Sequence, residues 1–313
     1  MQRRRLGTSN LEVSVLALGT WAMAGESEGW GNVDDNESIA TLERAIELGI
    51  CLIDTSPAYG QGRSEEIVGK AIRERRDQVV LATKCGVQLG RRLGTAPVRR
   101  LTREHIVREC EGSLRRLQTD HIDLYQCDRP DPETPLAETF AALDQLTAQG
   151  KVRAVGLADY GCEDVSAALL VGPVAAVQAP LSLFQRRAAE DLLPFCAGHG
   201  VAGLTHTPLA KGLLTGRYNT ESKIRGLRAA DSEFLGPRFH RNLELVARLS
   251  AIAERYGRTV AQLSLQWVIR TPGVTSVIVG AKRPSQIEEN VGSVGWTISM
   301  EDLNAIEDLL AGG

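Results

Sequence analysis

The sequence predicts a closed parallel β/α barrel, and three observations carry that prediction. Short β-rich runs alternate with helical patterns from about residue 13 onward, and eight of them stand at 15–18, 51–54, 79–83, 122–126, 152–157, 174–179, 203–206 and 275–279. Most are apolar on both faces, as parallel strands covered by helices should be. A chain of 313 residues is also a natural length for an α/β barrel folded as one domain. The rival is an open doubly wound sheet, but eight β–α repeats in one chain favour closure.

The elements follow in order. The turn residues Gly7-Thr8-Ser9-Asn10 predict an N-terminal hairpin over residues 1–14 that caps the bottom of the barrel. Ile39, Leu42 and Ile46, stopped by Gly49 and capped by Asp34 to Asn36, give a first helix. A second runs over 136–148 to Gly150, and a third covers 243–253. The longest uncharged run, 166–184, is broken by Gly172-Pro173, Gln178 and Pro180, so it reads as helix end, loop and buried strand, not as a membrane span. Residues 211–240 exceed an ordinary βα loop after the seventh strand and are treated as a candidate lid. With no linker and no repeat beyond the βα unit, residues 1–313 read as a single domain.

Composition removes several function classes. Lys plus Arg number 36 and Asp plus Glu 39, so a net charge of −3 gives no reason to expect nucleic acid or an anionic membrane as partner. Hydrophobic residues at 43% and charged residues at 24% exclude disordered and fibrous classes. Arg3 to Arg5 have no apolar run behind them, so they read as a solvated strand edge and not a secretory signal; the expected location is the cytoplasm. Six scattered cysteines without a C-x-x-C pair read as reduced thiols, and five histidines show no metal-ligand spacing. No Walker A or G-x-G-x-x-G motif is present. Oligomeric state has no signature in the sequence.

In a parallel barrel the active site forms at the C-terminal ends of the strands. Those ends carry Asp54, Lys84, Asp128, Asp159, Gln178 and His206, with Tyr59 in the loop after strand two. A free phenol titrates near pH 10 and is a poor acid–base at neutrality. An ammonium beside it stabilises the phenolate and lowers that value, and a carboxylate holds the lysine charged. Asp54, Lys84 and Tyr59 therefore form a candidate proton-transfer unit for a carbonyl oxygen receiving a hydride. On spacing alone, a buried Asp54–Lys84 ion pair with Tyr59 packed in its loop is an equal reading.

Longer motifs weigh on that choice. Asp54-Thr55-Ser56-Pro57-Ala58-Tyr59-Gly60, Gly62-Arg63-Ser64-Glu65-Glu66, Leu81-Ala82-Thr83-Lys84, Leu124-Tyr125-Gln126 and Gly150-Lys151-Val152-Arg153 resemble the aldo-keto reductase signature. So do Pro208-Leu209-Ala210-Lys211-Gly212-Leu213-Leu214-Thr215-Gly216, Val279-Gly280-Ala281-Lys282-Arg283-Pro284 and Glu289-Asn290. The resemblance implies a (β/α)8 TIM barrel that binds NADP(H) extended and moves a hydride between nicotinamide and a small carbonyl or alcohol substrate. It implies Tyr59 as proton donor, tuned by Lys84 and Asp54, and Gln178 on the carboxamide. It places Ala281, Lys282 and Arg283 around the 2′-phosphate and Glu289 and Asn290 at the adenine. The rest of the implied cofactor surface is Gly19, Thr20, Trp21, Ala158, Asp159, His206, Pro208, Leu209, Lys211, Gly212, Gly280 and Gln286. Pro284 suits a first helical turn, where anions are favoured, and two cations stand beside it.

Four positions depart from the family pattern. Asp128 takes the place of the usual His, Ala158-Asp159 that of Ser-Asn, His206 that of an aromatic, and Gln286 that of an arginine. An ionised Asp128 would oppose a developing alkoxide, whereas a protonated one could donate to it. The steroid double-bond reductases of the family have Glu there, and the potassium-channel β subunits an amide. Asp128 thus leaves four readings: carbonyl reduction, conjugated double-bond reduction, alcohol oxidation with Asp128 as base, or slow turnover in a cofactor-binding or sensing protein. An ionised Asp159 accepts hydrogen bonds but cannot donate, and His206 is placed to pair with Asp128 or Asp159.

Overall fold

In the computed structural model, which describes residues 1–88 and 98–311, eight parallel strands close into a barrel in the order their sequence predicts. The single-domain reading also takes in residues 89–97, 312 and 313, which lie outside the described residues.

The N-terminal hairpin pairs β1 (Arg3–Arg5) with β2 (Glu12–Ser14). The barrel then begins with β3 (Leu16–Gly19), β4 (Leu52–Asp54) and β5 (Val80–Cys85). A short antiparallel pair, β6 (Val87–Gln88) and β7 (Val98–Arg99), intervenes. The barrel continues with β8 (Ile122–Asp128), β9 (Val152–Ala158), β10 (Ala176–Pro180), β11 (Ala202–His206) and β12 (Val274–Gly280). Closure is made by β12 on β3, with Val277 opposite Leu16 and Gly280 opposite Gly19.

The main outer helices are α1 (Asp35–Glu47), α2 (Arg63–Ile72), α3 (Arg103–Leu117), α4 (Leu136–Ala148) and α5 (Cys162–Leu169). The short α6 (Arg187–Glu190) and α7 (Leu192–Gly198) follow. The chain ends with α8 (Gly236–Glu254), α9 (Val260–Arg270), α10 (Pro284–Val291) and α11 (Met300–Ala311). The Asp34 carboxylate accepts from the Glu37 N–H at 2.9 Å, the expected cap of α1. The 166–184 run splits as its breakers require, into the end of α5, a loop and β10. No described helix is long and apolar enough to cross a membrane. All six cysteines are free thiols, five of them buried.

Strand alternation divides the barrel into an apolar lower part and a polar top. Ala17, Leu52, Ala82, Leu124, Ala154, Ala176, Leu204 and Ile278 fill the interior, and Leu6 and Val13 of the hairpin join them from below. The hairpin therefore plugs the bottom, as expected. Its Gly7, at φ 57°, comes so close that a Cβ would lie 2.2 Å from the Ala175 carbonyl. Two residues further along the same strand faces come Gly19, Asp54, Lys84, Gln126, Gln178, His206 and Gly280, which form the floor of the site.

The outer layer has equally close contacts. A Cβ on Gly69 of α2 would lie 2.6 Å from the Arg116 carbonyl of α3. We predict that Gly69→Ala destabilises by about 2 kcal/mol despite a helix-propensity gain of about 1 kcal/mol, because backbone must move. A lowered thermal midpoint is expected; a raised one would mean that α2 and α3 pack more loosely.

Candidate functional site

Asp54 ends β4 with its carboxylate buried and three donors aimed at it. Lys84 Nζ lies 2.7 Å from Oδ2, and the side-chain amides of Gln178 and Gln126 donate to Oδ1 at 2.9 and 3.1 Å. Lys84 spends its other two protons on the Thr55 carbonyl at 3.0 Å and the Tyr59 hydroxyl at 3.2 Å. Asp54, Lys84 and Tyr59 therefore form one hydrogen-bonded unit. Gln126, inside β8 two residues before Asp128, belongs to this network, although the sequence marks it only as part of the Leu124-Tyr125-Gln126 motif and not as a site residue.

The loop carrying Tyr59 is fixed on several sides. Ser56 Oγ accepts from the Ala58 N–H at 3.2 Å, and the Tyr59 ring stacks on Trp21 with centroids 6.2 Å apart. Arg63 ties the same loop to the first βα loop through Asp35 at 2.5 Å and the Val33 carbonyl at 3.0 Å. Behind it Thr20 donates to the Asp54 carbonyl at 3.1 Å and accepts from Ser64 Oγ at 2.7 Å.

The electrostatics differ from the sequence expectation in one respect. Lys84 does pull the Tyr59 phenol down, but burial outweighs it and pushes the phenol up to about 12. Tyr59 thus stays a protonated phenol through the neutral range and does not titrate near neutrality. Burial also works against the Lys84 ammonium, yet Asp54 and Tyr59 outweigh it and hold Lys84 above the ordinary lysine range. Burial, seconded by Asp159 and Asp54 and opposed by Lys84 and Arg129, holds Asp128 above the ordinary carboxylate range.

Asp159 goes the other way. Burial would raise it, but the hydrogen bond and charge of His206 and the charge of Arg129 keep it below that range. His206 Nε2 is 3.0 Å from Asp159 Oδ1, and its Nδ1 is 2.8 Å from the Thr207 hydroxyl. Of the two expected partners, Asp159 is the one His206 takes.

A cleft of about 1640 Å³ runs from this floor along the rim, larger than the 300–1,000 Å³ or so that a small substrate alone occupies. It is lined by Asp54, Tyr59, Lys84, Asp128, Gly19, Trp21, Ala158, Asp159, Gln178 and His206 at one end. Pro208, Leu209, Lys211, Gly212, Gly280, Ala281, Lys282, Arg283, Gln286, Glu289 and Asn290 follow along it. Every site residue named from the sequence is therefore on one surface except Thr20, which is fully buried beneath it.

The far end is cationic. Burial, and then the charges of Arg228, Arg217 and Arg283, hold Lys282 below the ordinary lysine range. The Lys282 ammonium donates to the Trp30 carbonyl, and the Arg228 guanidinium lies 4.7 Å over the Trp30 ring. Gln286 accepts from the Lys282 N–H at 2.8 Å, so the amide in the usual arginine's place braces the backbone of the Lys282 turn. Glu289 accepts from the Thr259 hydroxyl at 3.1 Å.

Trp30, Arg217 and Arg228 were not legible as site residues. Trp30 follows the first strand by eleven positions, and the two arginines lie inside the 211–240 segment, where nothing in the spacing marks which side chain turns inward. That segment also ends earlier than expected, because α8 starts at Gly236. Its apolar residues Leu213, Phe234 and Phe239 pack on one another, and Lys211 pairs with Asp231 at 2.5 Å.

A hydrogen-bonded Asp54–Lys84–Tyr59 unit thus stands at the polar end of a parallel barrel, beside a cleft larger than a small substrate alone fills. Comparisons with known proteins give the family. The model of the Aldo/keto reductase family matches residues 15–311. An aldo-keto reductase of Bacillus subtilis (strain 168), YhdN, is 40% identical over 315 residues, covering 99% of this chain and 94% of the relative. The NADH-specific methylglyoxal reductase of Escherichia coli (strain K12) is 33% identical over 320 residues, covering 99% of this chain and 98% of its own. The structure of glycerol dehydrogenase AKR11B4 from Gluconobacter oxydans superposes with a TM-score of 0.91 at 35% identity, over 99% of this chain and 95% of that one. The chain belongs to the aldo/keto reductase family, whose members are NAD(P)H-dependent oxidoreductases of carbonyl and alcohol substrates.

Proposed function

We propose that the protein is an NADPH-dependent carbonyl reductase in which Tyr59 protonates the carbonyl oxygen. The observation that carries this reading is the contact of the Tyr59 hydroxyl with Lys84, itself locked to Asp54. The residues present fit the cofactor. The cleft has the volume, and its far end gathers Lys282, Arg283, Arg217 and Arg228; burial and then the charges of the three arginines depress Lys282, and an anion there would relieve the repulsion. That favours the 2′-phosphorylated cofactor, in contrast to the NADH-specific relative.

When bound, the reduced cofactor supplies the hydride. Tyr59 then delivers its proton to the developing alkoxide, and Lys84 stabilises the phenolate left behind. Asp54 keeps Lys84 charged and in place. Gln178 spends its amide N–H on Asp54, which leaves its carbonyl oxygen to accept from a carboxamide NH2. The ionised Asp159 is a second acceptor for the same group, and His206, fixed by Asp159 and Thr207, offers its ring face. Trp21, Gly280 and the segment Pro208 to Gly212 complete the walls. As one domain in the cytoplasm, the chain would meet NADPH as a soluble small-molecule enzyme.

Asp128 decides the substrate chemistry. Its burial favours the protonated carboxyl, a second acid beside Tyr59, over the base that alcohol oxidation would need. Oxidation of NADPH with a reactive aromatic aldehyde tests this. Ready wild-type turnover is expected, declining as pH rises through the raised Asp128 value, because the carboxylate opposes the alkoxide. Asp128→Asn should lose that limb. Turnover that appears only in Asp128→His would remove carbonyl reduction as the native reaction.

A further inference from the structure

The mouth of the cleft is built from strand ends whose backbone is reversed. Arg129 follows β8 at φ 71°, Asp159 follows β9 at φ 59° and Thr207 follows β11 at φ 58°. None is glycine, so each is a strained backbone position. Each of the first two is held by a main-chain bond to the next strand: the Arg129 N–H donates to the Ala158 carbonyl at 2.8 Å, and the Asp159 N–H to the Gln178 carbonyl at 2.9 Å. The effect is to place Arg129 on the cleft wall directly beside Asp128.

The Arg129 charge is only partly answered there. Its Nε lies 3.5 Å from Asp159 and 3.8 Å from Asp128, longer than a hydrogen-bonded ion pair. Asp159 is already paired with His206 at 3.0 Å, and Asp54 with Lys84 at 2.7 Å. Of the rim acids in the first turn of α5, Asp164 accepts from the Gly161 N–H. The two terminal amino groups of Arg129 have no partner among the described residues, and the side chain is 44% exposed. Burial, which disfavours the ionised form of Asp128, removes part of the remaining counter-charge. A planar fork with both outer prongs unspent matches a carboxylate.

We propose that Arg129 is the docking point for a carboxylate on the substrate, so that aldehydes and ketones carrying a carboxylate are the preferred class. The inference rests on the carbonyl-reductase reading above. Glyoxylate is compared with acetaldehyde, and succinic semialdehyde with butanal, which offers the carboxylate at two distances from the carbonyl. At one length at least, the acid should be favoured in kcat/KM by about tenfold or more. Arg129→Met should collapse that ratio mainly through KM, and Arg129→Lys should restore part of it. A ratio near one at both lengths, or a ratio that Arg129→Met leaves intact, overturns the inference while aldehyde turnover itself upholds the reductase.

Calorimetric titration of succinate, against succinamide, into the NADP⁺-loaded protein gives a readout independent of turnover. Binding of succinate that Arg129→Met abolishes supports the inference, and equal or absent binding of the two overturns it. If no aldehyde is reduced, the reductase reading fails separately.

Discussion

Tyr59→Phe is expected to reduce kcat by about 10³-fold, in line with the removal of a positioned general acid, and to leave NADPH affinity within about threefold. The substitution is unusually clean. The ring keeps its stacking on Trp21 and its place 5.0 Å beneath the Lys84 ammonium. Lys84 loses one of three acceptors but retains Asp54 and the Thr55 carbonyl. Only the proton is removed. The pH dependence follows from the phenol standing at about 12. Below that value Tyr59 stays protonated, so it imposes no titration on reduction across the neutral range. The reverse reaction needs the phenolate, so alcohol oxidation should quicken steadily as pH rises toward 12. Single-turnover kinetics and a fluorescence titration of NADPH check both parts. Retained turnover would take Tyr59 out of the chemistry, and a matching loss of NADPH binding would show that the hydroxyl holds structure instead.

What could be read before the structure divides along a physical line. The eight strands were legible because burial on both faces demands apolar runs, and each run lies within about two residues of its strand. The top layer was legible because a parallel barrel puts strand ends on one rim: Asp54, Lys84, Asp128, Gln178 and His206 all follow from counting to the end of a run. Side-chain partnership was not. That Gln126 and Gln178 both point at Asp54 depends on inward parity on β8 and β10, which a two-residue slip would have preserved without revealing the contact. The direction of the Tyr59 shift was misjudged because the sequence shows that a lysine is near but not how much water is excluded.

Loops mark the limit. The family resemblance puts Thr20 on the cofactor surface, yet its hydroxyl lies behind the site, bridging the Asp54 carbonyl and the Ser64 hydroxyl. Arg228 reaches Trp30 across a segment whose path is set by its own small apolar cluster, not by any local spacing. Arg129 is a further case. A residue after a strand ordinarily leaves the barrel, and only the left-handed backbone at that position puts its guanidinium on the cleft wall.

Lys282→Ala with Arg283→Ala is expected to weaken NADPH by about 100-fold, with little change for NADH. Each charge-assisted bond to a phosphate contributes about 1.5–3 kcal/mol, and about 2.7 kcal/mol in total corresponds to that factor once overlap between neighbours is allowed for. The cost of assembling the cluster makes the discrimination sharper. Burial and the charges of Arg228, Arg217 and Arg283 already disfavour the Lys282 cation, so bringing a phosphate there relieves repulsion as well as making bonds. NADH brings no group to relieve it. The same argument predicts a strong salt dependence for NADPH in the wild type, shallower in the double variant, since Lys282 is only half-buried and Arg283 is exposed. Loss of the Lys282 ammonium also frees the Trp30 carbonyl, so Lys282→Met with Arg283→Ala separates packing from charge. Equal losses for both cofactors would mean that the cluster braces the 211–235 segment against Trp30 and reads no phosphate. A loss confined to NADPH would assign the 2′-phosphate to this end of the cleft and fix the direction in which the cofactor lies, with its nicotinamide over Tyr59.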